Sequence, residues 1–335
     1  MIAATALAVA TLAAATPSAP SGFTVSAYAR GLASPTAMVA GPRGVIYATE
    51  QQGRVVTFTR GGRPRLFAGG FRDSTLGLAW FRGRLYVSDK GRVTALTDRN
   101  GDRRADGRRR VLLDGLPNGL HQQDAVVPGP DGRLYLGAGS TENAMRPRDR
   151  RTAAILSFRP DGRDLRVVAT GLRNPYGLAF DASGVLWATD NGRDDLGNGV
   201  PEELNLIVAG RRYGYPSCYG IRRGTGCAGT AAPVAELESH ASADGLAFAP
   251  AAFAPTMEGD AFVALWGTYF GRSHGRYVAR VQLREGRARV TRFATGFEHP
   301  LAVVFTPGGS LLVADWGSGT VWEIRRRAAS RGRAL

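Results

Sequence analysis

His121 stands in the run Asn118-Gly119-Leu120-His121-Gln122-Gln123-Asp124, just ahead of an apolar stretch of strand character. An imidazole, with a free pKa of about 6.5, can take up a proton near neutrality, which makes His121 a candidate general base. Taken alone it is equally an ordinary polar loop residue. The densest polar cluster runs from Asp190 through Asn191, Gly192, Arg193, Asp194 and Asp195 to Glu202, Glu203 and Asn205. Hard oxygen donors beside glycines that free backbone carbonyls are what calcium requires, although a solvated acidic turn has the same composition. Upstream, Gly171-Leu172-Arg173-Asn174-Pro175-Tyr176-Gly177 sets an arginine and an asparagine at the start of a strand. Asp98 to Asp106 places acid or amide side chains at positions 1, 3, 5 and 9 of a calcium loop but lacks the glycine at 6 and the glutamate at 12. A partial calcium site and an exposed charged turn are both open there.

The elements that position these residues repeat. A glycine turn followed by a β-rich run recurs at Gly44–Glu50, Gly83–Asp89, Gly132–Gly137 and Gly184–Asp190, and in weaker form at Gly259–Ala264 and Gly309–Asp315. A strand of Gly-Leu-Ala-Phe type precedes several copies, at Gly77, Gly177 and Gly245, and a further strand follows several, such as Arg54–Phe58 and Arg92–Leu96. Six copies spaced roughly 40 to 75 residues apart match four-stranded propeller blades. The 45 glycines speak for tight turns, and no long 3.6-residue stripe points to helices. The expected fold is all-β, a six-bladed β-propeller in one domain over 21–327, with Phe23 to Tyr28 closing the ring against the last blade. The widest gaps, Asn191–Gly214 and Tyr215–Ala241, read as insertions, where binding and catalysis concentrate on a rigid scaffold.

Composition narrows the function classes. The chain has 335 residues, 44% hydrophobic, enough for a large core. Its formal charge of +15 comes from 43 basic residues, of which only Lys90 is lysine. They are scattered rather than clustered, so no nucleic-acid groove is expected. Residues 1–20 read as a signal-like export segment, with an apolar run from Ile2 to Ala15 and small residues after it, though no basic residue precedes the run. A disordered tail is the alternative. The run is too short to span a bilayer, which needs about 20 apolar residues, so no stable membrane insertion is expected. Residues 328–335 form a basic tail. A secreted or periplasmic protein would close Cys218 and Cys227 into a disulfide loop, worth about 2–3 kcal/mol.

The runs Gly171–Phe180, Trp187–Gly192, Glu203-Leu204-Asn205 and Tyr213-Gly214-Tyr215-Pro216, with His121 followed by Gly129–Tyr135, resemble the glucose/sorbosone dehydrogenase family from about residue 20 to 327. These are six-bladed quinoproteins that use pyrroloquinoline quinone (PQQ) and calcium to oxidise sugars. The resemblance implies that His121 is the general base and that Arg173 and Asn174, with Asn191, contact PQQ. It implies that the backbone carbonyls of Gly192 and Arg193 bind the cofactor's calcium, while Glu203 and the Tyr213 carbonyl bind a second, structural one. A small-molecule sugar and an external electron acceptor would be the partners.

The C-terminal third departs from that pattern. Leu265–Arg272 replaces Glu-His-Gly-Ser-Trp-Asn-Arg, and Glu298–Ala302 replaces an Arg-Pro-Val-Gly segment, leaving Arg272 and His299 as the cations available to substitute. Two rival readings share the fold. A calcium-dependent lactonase or esterase would need side-chain carboxylates and amides from several blades converging on the channel, and a binding module would need no chemistry at all.

Overall fold

The computed structural model describes residues 15–327 apart from 270 and 285, so most of the export-like segment and the basic tail lie outside the described residues. Strand β1 (Phe23–Arg30) comes first. Blade 1 follows with β2 (Pro35–Ala40), β3 (Ile46–Glu50), β4 (Arg54–Phe58) and β5 (Arg65–Gly69). Blade 2 holds β6 (Gly77–Phe81), β7 (Arg84–Asp89), β8 (Arg92–Leu96) and β9 (Arg110–Leu113). Blade 3 holds β10 (Gln123–Pro128), β11 (Leu134–Ala138), β12 (Ala154–Phe158) and β13 (Arg166–Thr170). In blade 4, β14 (Leu178–Phe180), β15 (Leu186–Asp190) and β16 (Glu202–Ile207) are followed by a small hairpin of β17 (Cys218–Tyr219) and β18 (Arg223–Gly224) before the outer strand β19 (Ala235–Leu237). Blade 5 holds β20 (Ala243–Phe248), β21 (Ala261–Leu265), β22 (Tyr277–Arg284) and β23 (Arg287–Thr295). Blade 6 is β24 (Pro300–Phe305), β25 (Leu311–Asp315) and β26 (Thr320–Arg326), completed by β1. The architecture is the expected six-bladed propeller. Phe23 pairs with Arg326 and Arg30 with Thr320, so the first strand closes the last blade.

The second strands are buried end to end in blades 1, 4, 5 and 6, because each is covered on both faces by neighbouring blades. That is why they read as continuous apolar runs rather than as alternation. The core is accordingly divided among six clusters, each between two adjacent blades. The seam between blades 5 and 6 is the most aromatic, with Phe253, Phe262 and Phe293 meeting edge to face at 4.9 to 6.1 Å and Trp322 fully buried beside them.

A recurrent device fixes four of the six blades to the loop that leads into them. The acid ending the second strand accepts backbone N–H groups from that loop. Ala33 donates to Glu50 (2.8 Å), Arg72 to Asp89 (2.8 Å), Arg173 and Asn174 to Asp190 (3.0 and 2.7 Å), and Glu298 and His299 to Asp315 (3.0 and 2.7 Å). Blades 3 and 5 carry Ala138 and Leu265 at the equivalent position and lack the device.

The inner strands approach so closely that side chains do not fit between them. A Cβ on Gly77 would lie 2.1 Å from the Asp124 carbonyl oxygen, and one on Gly177 would lie 2.1 Å from that of Asp244. The Asp98–Asp106 turn is closed on itself, its Asp98, Asn100, Asp102 and Asp106 side chains accepting local backbone amides. Cys218 and Cys227 are bridged, which pins the hairpin of the blade 4 insertion.

Gly177→Ala is expected to destabilise the fold by about 1–3 kcal/mol through backbone overlap, read as a lower denaturation midpoint. Gly199→Ala meets nothing within 4 Å and should leave the midpoint within about 0.5 kcal/mol of the parent. Equal effects from the two substitutions would contradict this account of the inner ring.

Candidate functional site

A cavity of about 380 Å³ opens over the propeller axis, lined by residues from all six blades. Its floor is a ring with one residue per blade, taken from the start of each first strand or one or two residues before it: Thr36, Leu76, Asp124, Tyr176, Asp244 and Leu301. The ring is tied together by its backbone. The hydroxyls of Ser88 and Thr189 donate to the carbonyls of Asp124 and Asp244 in the next blade, at 2.5 and 2.9 Å.

His121 sits on the loop between β9 and β10, its backbone N–H bonded to the Ser140 carbonyl at 3.0 Å. Gly139 makes room for it: a Cβ there would lie 2.4 Å from His121 Cβ and 2.6 Å from Asn174 Oδ1. The His121 Nε2 is buried and has no hydrogen-bond partner. Burial, reinforced by the charge of Arg173, pushes the imidazole down to about 3. The ring is therefore neutral and only a weak base.

Asp190 places Arg173 and Asn174 by holding their backbone amides. The Arg173 side chain, 5% exposed, is fully engaged. It donates to Asn143 Oδ1 (2.7 Å) and the Asn191 carbonyl (3.3 Å) and pairs with Asp194. Asn174 Oδ1 and Asn191 Oδ1 are buried without partners, while Asn191 Nδ2 donates to Asp244 Oδ1 at 3.2 Å. Thus His121, Arg173, Asn174, Asn191 and Gly192 all border the one central cavity.

The four expected metal residues also meet, but differently from the two-site expectation. Gly192, Arg193, Glu203 and Tyr213 line a single small cavity of about 20 Å³ beneath the blade 4 insertion. That is room for one water-sized occupant. Glu203 accepts from Gly220 N (2.6 Å) and Asn205 Nδ2 (3.0 Å), so the disulfide-pinned hairpin reaches it directly. Gly192 N donates to Glu202 Oε2 at 2.8 Å, the Arg193 side chain pairs with Asp195, and the Tyr213 hydroxyl donates to the Leu206 carbonyl at 2.7 Å.

Several residues of the cavity were assigned no role from the sequence. Asp124 and Asp244 are fully buried acids in the floor ring, and Glu202 lies above them. Burial pushes Asp244 and Glu202 up to about 8, and burial with the Asp244 charge raises Asp124 as well. Aligning the six repeats on their first strands would have revealed the two aspartates at a position where other blades carry Thr36, Leu76, Tyr176 and Leu301. The divergent C-terminal segments build an aromatic wall. Trp266 stacks on Tyr269 (4.3 Å) and on His299 (3.8 Å), and Trp316 donates its indole N–H to Gln51 at 2.8 Å. Neither Arg272 nor His299 is among the lining residues, so Arg173 is the only arginine facing Asp124, Asp194, Glu202 and Asp244 there.

Comparison with known proteins finds partial sequence matches and whole-chain structural likenesses. A family model described as a domain of unknown function (DUF7133) matches residues 62–213. Two curated relatives match over short segments. One is an uncharacterized protein of Borreliella burgdorferi, 32% identical over 28% of this chain and 25% of its own length. The other is quinoprotein glucose dehydrogenase B of Acinetobacter calcoaceticus, 28% identical over 35% of this chain and 30% of its own. The matches thus span less than a third of those relatives. Solved structures align over nearly the whole chain. A Thermus thermophilus protein assigned as an oxidoreductase (glucose dehydrogenase) is 27% identical, with a TM-score of 0.72 over 90% of this chain and 100% of that one. The PQQ-bound aldose sugar dehydrogenase of Streptomyces coelicolor is 22% identical, with a TM-score of 0.74 over 92% and 99%. A calcium structure of a Trichoderma reesei carbohydrate-active enzyme of family AA12 is 18% identical, with a TM-score of 0.80 over 95% and 100%. Among the described residues no helix is long and apolar enough to cross a membrane.

The burial of His121 has a spectroscopic consequence. In an NMR titration of the chain's few imidazoles, His121 should stay neutral down to about pH 5, and Arg173→Gln should move its pKa upward without restoring the free value, because burial is the larger cause. A His121 that titrates between pH 6 and 7 in the parent would contradict the desolvated site.

Proposed function

We propose that this chain oxidises an aldose-type sugar or sugar aldehyde with PQQ and calcium, using His121 as the general base. The single observation that carries this reading is the buried, unpartnered Nε2 of His121, on a residue that lines a cavity with Arg173 and Asn174. Whole-chain likeness to sugar dehydrogenases supports it. The donor set fits the cofactor: a neutral acceptor, an orphaned amide oxygen and a pre-oriented guanidinium border a space bounded by flat aromatic side chains. When bound, PQQ supplies the acceptor for the hydride leaving the sugar carbon.

The protein's own contributions follow from its geometry. A base as weak as His121 takes the hydroxyl proton efficiently only as the hydride departs, when the forming carbonyl makes that proton acidic. Proton and hydride transfer are then coupled, and the C–H and O–H bonds break as the C=O bond forms. Arg173 is held at the cavity by Asn143 and Asp194, and a ligand carboxylate would take over part of the contact now made to Asp194. Asn174 is fixed by Asp190, and Asn191 by Asp244, so the amides that orient the ligand sit on rigid supports. Trp266, Tyr269 and Trp316 give a face against which a sugar or a planar ring can lie. A single calcium ion in the small space would use the carbonyls of Gly192 and Arg193, with Glu203 and the Tyr213 carbonyl lining the same space. An external acceptor then removes the electrons.

Adding PQQ and calcium to the purified protein should produce cofactor absorbance and dye reduction with at least one aldose. His121→Ala should lose turnover by about 10²–10⁴-fold while still binding PQQ. Arg173→Ala should weaken PQQ binding by roughly ten- to a hundredfold and recover with excess cofactor. Absence of PQQ binding by the parent in the presence of calcium would overturn the proposal, and full turnover by His121→Ala would remove the base assignment.

A further inference from the structure

The floor of the cavity holds more unsatisfied oxygen than a folded core tolerates. Both carboxylate oxygens of Asp124, Oδ2 of Asp244 and the side-chain oxygens of Asn174 and Asn191 are buried without hydrogen-bond partners. The Gln122 side chain approaches Asp124, yet neither carboxylate oxygen makes a hydrogen bond of acceptable geometry with it. The residues themselves are at least nine-tenths buried, at 0% exposure for Asp124, 1% for Asp244, 6% for Asn174 and 7% for Asn191. All four line the same cavity and come from blades 3, 4 and 5. They are near one another: Asn191 is bonded to Asp244, and the charges of Asp124 and Asp244 are each felt by the other's neighbour Tyr176, which stands between them in the ring. Unpaired buried carboxylates are costly, and orphaned amide oxygens on residues lining the same cavity are a second, independent sign of a missing electrophile.

We infer that these four side chains form a hard divalent cation site on the propeller axis, suited to calcium and separate from the small cavity at Glu203. The donors are all oxygens, two of them carboxylates that would balance a double charge. Calcium accepts six to eight such oxygens in loose geometry, and water from the open cavity completes the shell. Magnesium demands a tighter octahedron that ligands spread over three blades do not offer. Zinc would favour nitrogen or sulfur donors, and among the described residues no three His, Cys, Asp or Glu side chains gather to hold a metal by themselves. The amides are therefore essential members. The site rests on the orphaned oxygens and stands whether or not PQQ binds. Its open face would present positive charge to a cavity whose only arginine is already engaged by Asp194. It also supplies the converging side-chain ligands that a metal-assisted hydrolase on this fold would require.

The test uses the full-length protein freed of metal by chelation, with no quinone present. Terbium, as a calcium mimic, should give sensitised emission on excitation of tyrosine, because Tyr176 lies in the same ring, and calcium should displace it with magnesium far less effective. Calorimetric titration of calcium should show Asp124→Asn and Asp244→Asn each weakened by on the order of ten- to a hundredfold, since affinity follows ligand charge. Glu203→Gln should leave this binding event in place. Parent protein that gives no sensitised emission and binds no calcium would overturn the inference, as would calcium binding indifferent to both aspartate substitutions or abolished by Glu203→Gln. Because the emission is read on the parent chain, the result does not depend on either variant folding.

Discussion

The propeller is organised by a carboxylate at the end of a buried strand, accepting backbone amides from the loop that leads into the same blade. Such bonds to a charged acceptor are stronger than neutral ones, and they act where the loop would otherwise carry unpaired N–H groups. Four blades use the device. In blade 4 it does double duty, because the two amides that Asp190 holds are those of Arg173 and Asn174. In blades 3 and 5 the position is taken by Ala138 and Leu265, and an aspartate appears instead on the first strand, facing the axis. Those are the blades that bring His121 and Trp266 to the cavity. The acids on the inner strands thus divide: those ending second strands lock loops, and the two on first strands keep unpartnered oxygens in the centre.

Much of this was legible in the repeats. The glycine turn and the second strand recur because every blade needs a tight reversal followed by a strand buried on both faces, and that pattern identified all six blades and the closing strand. The outer strands were not legible. Arg65–Gly69, Arg110–Leu113 and Arg166–Thr170 are half exposed and lightly apolar, and the outer strand of blade 4 is displaced to Ala235–Leu237 by the insertion before it. At the site, His121, Arg173, Asn174 and Asn191 were identified by motif and do share one cavity. Asp124 and Asp244 were passed over because an acid at the head of a strand looks like an ordinary turn residue. Only the ring geometry shows that it points inward. The aromatic wall was hidden for a related reason: Trp266 and Trp316 are adjacent in space through two different blades.

Charge is partitioned in a way that the total conceals. The chain is strongly basic, yet the cavity is acidic. Outer arginines are absorbed locally, as Arg133 is by Asp164 at 2.8 Å and Arg280 and Arg284 are by the buried Asp260 at 2.5 and 2.8 Å. Others lie flat over rings, such as Arg30 at 5.2 Å over Trp322, where a guanidinium covers apolar surface as well as carrying charge. Net charge therefore describes the outer surface and its solubility, and the axis answers to a different electrostatic problem.

The closing strand has a consequence for how the molecule comes into being. Thr24 and Arg325 face each other across 301 positions of chain, so the seam that closes the ring joins a strand made before all six blades to one made after them. Until blade 6 emerges from the ribosome, β1 has no partner and β26 does not exist, and every blade completed in the meantime leaves one flank of its apolar cluster waiting for the next. Contacts this distant in sequence form slowly, and an unpaired strand edge invites pairing with other chains in the interval. Assembly of this ring is accordingly a race between its own final pairing and intermolecular capture of a strand that has waited while the blades between were made.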